Sequence, residues 1–176
     1  MAQNDQALLT RLKESGLDFV VIGGVCVVFH GALLATFDLD ICCAFGRENV
    51  RRIESAVKDL HPIHRLTANK LPLEATQDSF GELKNLFLQT DLGKLDCLSE
   101  VTGVGDFATV LGQSVIASFS YGQFRFLNLD ALIVAKKAVG REHDLDAVRR
   151  LTAIKERNAQ QKDLFKIESQ IVNPKS

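Results

Sequence analysis

Asp38 and Asp40 stand two residues apart in the stretch Phe37 to Ala44, FDLDICCA, where acidic and apolar residues alternate. Side chains two apart on a β-strand point to one face, so this spacing places both carboxylates side by side and turns Phe37, Leu39 and Ile41 toward a core. Two such charges about 5 Å apart repel by roughly 3 kcal/mol at an effective dielectric of 20. A divalent cation relieves that repulsion directly. Mg2+, or Mn2+ in its place, suits hard oxygen ligands and takes one or two protein carboxylates, leaving the rest of its shell to water and substrate phosphate. A lone Asp-x-Asp is also met as a strand-end cap or an ion-pair partner, so the reading needs further residues.

Two other stretches supply them. Asp96 lies in Leu95 to Leu98, LDCL, again an aspartate among apolar neighbours on an expected strand. If the two strands are near each other, three carboxylates converge, and a trio of this kind can hold two cations that activate a hydroxyl and stabilise a leaving pyrophosphate. Gly23-Gly24 follows an apolar strand and precedes an apolar helix, a place where backbone amides can approach a phosphate. Thr36, just before the aspartate pair, is a loop-to-strand hydrogen-bonding candidate. His30 fits a helix end with a satisfied hydrogen bond. Lys136-Lys137, with Arg141 and His143, fits either a solvated helix face or a lysine reaching a triphosphate as a point charge.

The elements that must position these groups read as follows. Residues 6–15 form a short amphipathic helix through Leu8, Leu9 and Leu12, with Gly16 beyond its end. Leu17 to Ile22 is a buried strand, Val25 to Phe29 a core helix, and Leu33 to Thr36 a loop before the strand at 37–44. Glu48 to Leu60 carries an apolar stripe of Val50, Ile53, Val57 and Leu60 and is a helix. His61 to Ala75 has no clear period, and Pro62 and Pro72 exclude regular helix there. Asn85 to Gln89 and Leu95 to Leu98 form a hairpin about Gly93. Gly103 to Gly112 suits a short helix and Val115 to Phe126 has strand character. Leu129 to Val139 and His143 to Arg157 are helices, the second opened by Asp144, with a polar tail. The order predicts an α/β (α+β) fold, a small mixed sheet flanked by helices with a C-terminal helical pair. We expect a core over 1–126 and a helical region packed on it over 127–176.

Bulk composition narrows the class. A hydrophobic content of 46% in 176 residues is enough for a real core. The net charge of -1 gives no overall pull toward nucleic acid. Arg149, Arg150, Lys155 and Arg157 read as a solvated helix face, or as a local basic patch. Apolar runs such as Val25 to Phe29 are far too short to span a bilayer, and the polar start AQNDQ is unlike a signal peptide. A cytoplasmic protein without membrane contact is expected. Cys26, Cys42, Cys43 and Cys97 form no Cys-x-x-Cys pair and read as buried reduced thiols.

Taken together, VIGGVCVVFHG…ATFDLDI resembles the signature of the nucleotidyltransferase superfamily with the DNA polymerase β type fold, with thirteen residues between Gly24 and Asp38. GKLDCL supplies the family's third metal ligand at Asp96. The stretch NLDALIVAKKAVGREHDLDAVRRL is similar to the helical region of small bacterial members, including AbiEii-type toxins, with Lys136 and Asp144 at matching positions. The resemblance covers roughly residues 17–157. It implies NTP bound between Gly23-Gly24 and the carboxylates, Mg2+ held by Asp38, Asp40 and Asp96, and transfer of a nucleoside monophosphate to an acceptor hydroxyl on RNA, a protein or a small molecule. Thr36 and Lys136 would join the nucleotide site. The sequence departs from the pattern at Leu33-Leu34, where many relatives carry a basic residue. The competing expectation is a binding module that keeps the fold without catalysis, as one component of a toxin–antitoxin pair with an antitoxin partner.

Overall fold

A computed structural model describes residues 3–67, 69–73 and 83–172 of the chain. Residues 1–2 of the polar start, part of the segment running to Ala75, and residues 173–176 of the helical region lie outside the described residues. The elements are α1 (Asp5–Glu14), β1 (Phe19–Val21), α2 (Gly23–Phe29), β2 (Asp38–Cys43), α3 (Arg47–Val57), β3 (Ile63–His64), β4 (Asn85–Thr90) and β5 (Gly93–Leu98). They are followed by β6 (Glu100–Val101), β7 (Gly105–Asp106), α4 (Phe107–Gly112), β8 (Ser114–Phe119), β9 (Gly122–Leu127), α5 (Leu129–Val139) and α6 (Glu142–Val172). A short 3-10 turn at Lys58–Leu60 follows α3.

Seven strands form one mixed sheet in the order β3-β4-β5-β2-β1-β9-β8, and β6 and β7 form a separate small hairpin. Most neighbours are antiparallel. The exceptions are β2 with β5 and β1 with β9. The parallel β2–β5 contact needs a long crossover, which α3, β3 and β4 provide. It sets Asp40 opposite Asp96. The sheet's buried residues explain why it holds: Val20, Val21, Leu39, Ile41, Leu88 and Leu95 are all closed to solvent. Helix α1 packs on α3 and α5 on α6. All four cysteines are free and buried.

Local chemistry accounts for the helix ends that matter here. Asn128 caps α5 by accepting from the Ala131 N–H at 2.9 Å. Gly140 ends it in the left-handed conformation at φ +70, where glycine carries no Cβ penalty. That sharp stop turns the chain into α6, so the last turn of α5 and the first turn of α6 face the same space.

Several expectations are corrected. Phe37 does not enter the core. It lies just before β2 and is 72% exposed. The strand character expected over 115–126 is present, as the hairpin of β8 and β9 with the chain reversing at 120–121. The helix expected from Gly103 starts only at Phe107; the residues before it are taken up by the β6–β7 hairpin, and Asp106 caps the helix through the Thr109 N–H at 3.0 Å. The helix over 25–29 begins earlier, at Gly23. It is buried at Gly24, Cys26 and Val27, whereas Val28 is exposed. The polar tail after Asn158, open between continuing as helix and fraying, continues as helix to Val172.

Candidate active site

The sheet brings the three aspartates together. Asp38 and Asp40 project from one face of β2, while Leu39 and Ile41 are buried on the other. The register Asp40↔Asp96 places the third carboxylate on the adjacent strand, on that same face. One carboxylate oxygen from each of the three lies within 4.8 Å of the others. Burial, and then the charges of Asp38 and Asp96, push the Asp40 carboxyl up to about 7. The Asp96 carboxyl is also raised, chiefly by burial, and this is opposed by a hydrogen bond from Arg65. Such a trio is short of positive charge at neutral pH, and its all-oxygen donor set fits Mg2+ or Mn2+.

Gly23 and Gly24 sit directly against this cluster. Gly23 has φ +62, a backbone conformation glycine adopts without strain. A Cβ at Gly23 would stand 1.9 Å from Asp40 Oδ2, and one at Gly24 would stand 2.5 Å from Thr36 Oγ1. A side chain at either position would therefore have to displace Asp40 or Thr36. The Gly24 backbone N–H donates to the Asp40 carboxylate, and the Ile22 N–H donates to the Asp40 carbonyl at 3.0 Å. Thr36 donates to the Asp38 carbonyl at 3.1 Å and stands 3.4 Å from Asp38 Oδ1. The threonine thus braces the start of β2 and one of the carboxylates.

A cleft of about 620 Å3 opens over the cluster. Its walls include Gly23, Gly24, Thr36 and all three aspartates, with Lys136, Arg141 and His143 contributed by the α5–α6 corner. Lys136 is not a free cation. Its Nζ lies 2.8 Å from Asp144 Oδ1, and the buried Asp144 Oδ2 has no hydrogen-bond partner among the described residues. Asp144 lies in the first turn of α6, as expected for a residue that opens a helix, and is also the buried counter-charge of the lysine. His30 behaves as expected for a helix end, with Nε2 2.8 Å from the Leu127 carbonyl. The basic residues of α6 are engaged locally: Arg149 and Arg150 pair with Asp146, and Lys155 with Asp130.

Two residues near the site went unnoticed in the sequence. Arg65, in the turn after β3, forms an ion pair with Asp96. The stretch around it has no period, so nothing local signals it. Lys94 precedes Asp96 by two on β5 and lines the cleft. The same alternation that points to Asp96 could have revealed it.

The lincomycin-bound lincosamide antibiotic adenylyltransferase LnuA superposes with a TM-score of 0.60 at 13% identity, covering 88% of this chain and 99% of that one. ANT(2'')-Ia in complex with adenylyl-2''-tobramycin superposes with a TM-score of 0.53 at 15% identity, covering 92% of this chain and 96% of that one. This chain has the nucleotidyltransferase fold. No protein-family model matches its sequence, and no curated protein matches it either. The fold expected from the Gly-Gly and Asp-x-Asp signature is thus borne out by three-dimensional likeness at low sequence identity. No helix among the described residues is long and apolar enough to cross a membrane.

Proposed function

We propose that the protein is a metal-dependent nucleotidyltransferase, moving a nucleoside monophosphate from an NTP to an acceptor hydroxyl with release of pyrophosphate. The observation that carries this reading is the convergence of Asp38, Asp40 and Asp96 within 4.8 Å beside a glycine turn where a side chain would have to displace Asp40 or Thr36. In this reading residues 1–126 are the catalytic core and residues 127–176 the helical region packed on it.

Each residue has a distinct role. Asp38 and Asp40 hold Mg2+ or Mn2+, and Asp96 joins them on the acceptor side. When bound, the cations favour ionisation of the acceptor hydroxyl and offset charge on the leaving pyrophosphate. Gly23 and Gly24 let the β- and γ-phosphates approach the backbone closely. Thr36 fixes Asp38. Lys136, oriented by Asp144, presents a positive charge to the phosphates from the opposite wall. The acceptor oxygen attacks the α-phosphorus and forms a new P–O bond as the bond to pyrophosphate breaks. Asp96 is placed to accept the hydroxyl proton. Of the RNA, protein and small-molecule acceptors, a small molecule is favoured by the antibiotic adenylyltransferases that share the fold.

Labelled NTPs supplied with Mg2+ or Mn2+ test this, with total RNA, lysate and small hydroxyl compounds as acceptors. Transfer is expected from the wild type and not from Asp38→Asn/Asp40→Asn. Transfer that survives in the double variant would sink the proposed site. Absence of NTP binding with either metal would instead leave a non-catalytic module of the same fold.

A further inference from the structure

The two sides of the carboxylate cluster differ in chemistry. Across the sheet the order β1-β2-β5-β4 runs from the glycine turn after β1, past Asp38 and Asp40, to Asp96 and then Phe87. Phosphates belong at the glycine end, so the acceptor must approach from the Asp96 end. There Phe87 lies opposite Asp96 in the β4–β5 register, and Leu98 follows it by two on the same face. Both are half-buried, and both line the cleft with Val101.

Resting on the transferase reading, we propose that the acceptor is an uncharged hydroxyl compound with an apolar face, seated on Phe87 and Leu98, and not a polycation. The charges around that end support this. Outside the trio, Asp144 is the one acidic residue lining the cleft among the described residues, and it is buried in its pair with Lys136. Apart from the other two aspartates of the trio, the charged side chains beside Asp96 among the described residues are Lys94 and Arg65, both cationic. A polyamine acceptor would bring ammonium groups beside these cations, with no further carboxylate among the described lining residues free to pair them, a like-charge arrangement that disfavours binding. A neutral compound instead gains from covering Phe87 and Leu98.

Calorimetric titration tests the preference on the Mg2+-loaded protein, with and without the non-hydrolysable ATP analogue AMPCPP. The probes are octyl glucoside below its micelle concentration, as the neutral amphiphilic alcohol, and kanamycin, as the polyamine. The glucoside is expected to bind at least about tenfold more tightly than kanamycin, and Leu98→Asp to remove most of that difference. Kanamycin binding as tightly or more tightly, or no binding of the glucoside, overturns the proposal. If Leu98→Asp lowers its melting temperature, Phe87→Ala decides, and unchanged glucoside affinity in that variant also overturns it. Nucleotide binding is read separately with AMPCPP and the corresponding guanosine, cytidine and uridine analogues: absence of binding by all four defeats the transferase reading, whereas a wrong acceptor preference alongside normal nucleotide binding defeats only this inference.

Discussion

Gly23 and Asp40 occupy the same small volume: a Cβ on the glycine would lie 1.9 Å from Asp40 Oδ2 and 2.7 Å from its Cβ. The glycine therefore serves both the turn it makes, at φ +62, and the carboxylate it leaves in place. Gly23→Ala is expected to displace Asp40, destabilise the fold by about 1–3 kcal/mol and reduce nucleotidyl transfer by at least about tenfold. Thermal unfolding and an initial-rate assay on the same preparation check both effects. Transfer at the wild-type rate would show that the carboxylate does not need this approach.

Asp40 also predicts a pH dependence. Its ordinary value is 3.8, and in the fold it is raised to about 7. Between those values the folded state keeps a proton that the unfolded chain has lost. Stability of the metal-free protein therefore falls as pH rises through this window, by on the order of a few kcal/mol. Asp40→Asn should flatten that slope and stabilise the metal-free protein at pH 8. Added Mg2+ should stabilise the wild type more at pH 8 than at pH 5, because the cation needs the ionised carboxylate. Urea melts at the two pH values, with and without Mg2+, provide the measurement. A wild type equally stable at both would contradict the account of Asp40 as a carboxyl buried beside two like charges.

Arg65 is the positive charge nearest to Asp96, and both side chains are largely out of water. Arg65→Ala leaves a desolvated carboxylate beside two others, so a loss of about 1–3 kcal/mol is expected, with partial recovery by Mn2+. Arg65→Lys should recover less than the full stability, since it keeps the charge but not the planar fork of donors. Denaturation curves of the three proteins with and without Mn2+ separate these effects. An Arg65→Ala variant as stable as wild type would mean that the ion pair is dispensable.

Lys136 and Asp144 form a more deeply buried pair. Removing the lysine leaves a carboxylate that is 2% exposed, has one oxygen unpartnered among the described residues, and keeps only the more distant His143 Nε2 at 3.6 Å. Lys136→Met should cost about 3–5 kcal/mol, and the double change Lys136→Met/Asp144→Leu should recover most of it. If the lysine also faces phosphate, the double variant will be stable yet bind NTP more weakly. A stable double variant with unchanged NTP affinity would confine the pair to a structural role.

What the sequence determined by itself is the local part of the site. The period-two alternation of Asp38, Leu39 and Asp40 is enough to put two carboxylates on one face, because a strand has no other way to arrange them. The glycine pair between strand and helix, and the alternation of helical and extended segments, were equally legible and predicted the class of fold. The tertiary structure decided everything that depends on pairing between distant segments. Asp96 meets Asp40 only through the parallel register of β2 with β5, which no residue near either one specifies. Lys136 meets Asp144 because Gly140 folds α6 back on α5. Arg65 reaches Asp96 from an irregular stretch without periodicity. Phe37, apolar and in phase with Leu39, was expected inside. It is exposed because β2 and its buried face begin one residue later, at the edge of the cleft.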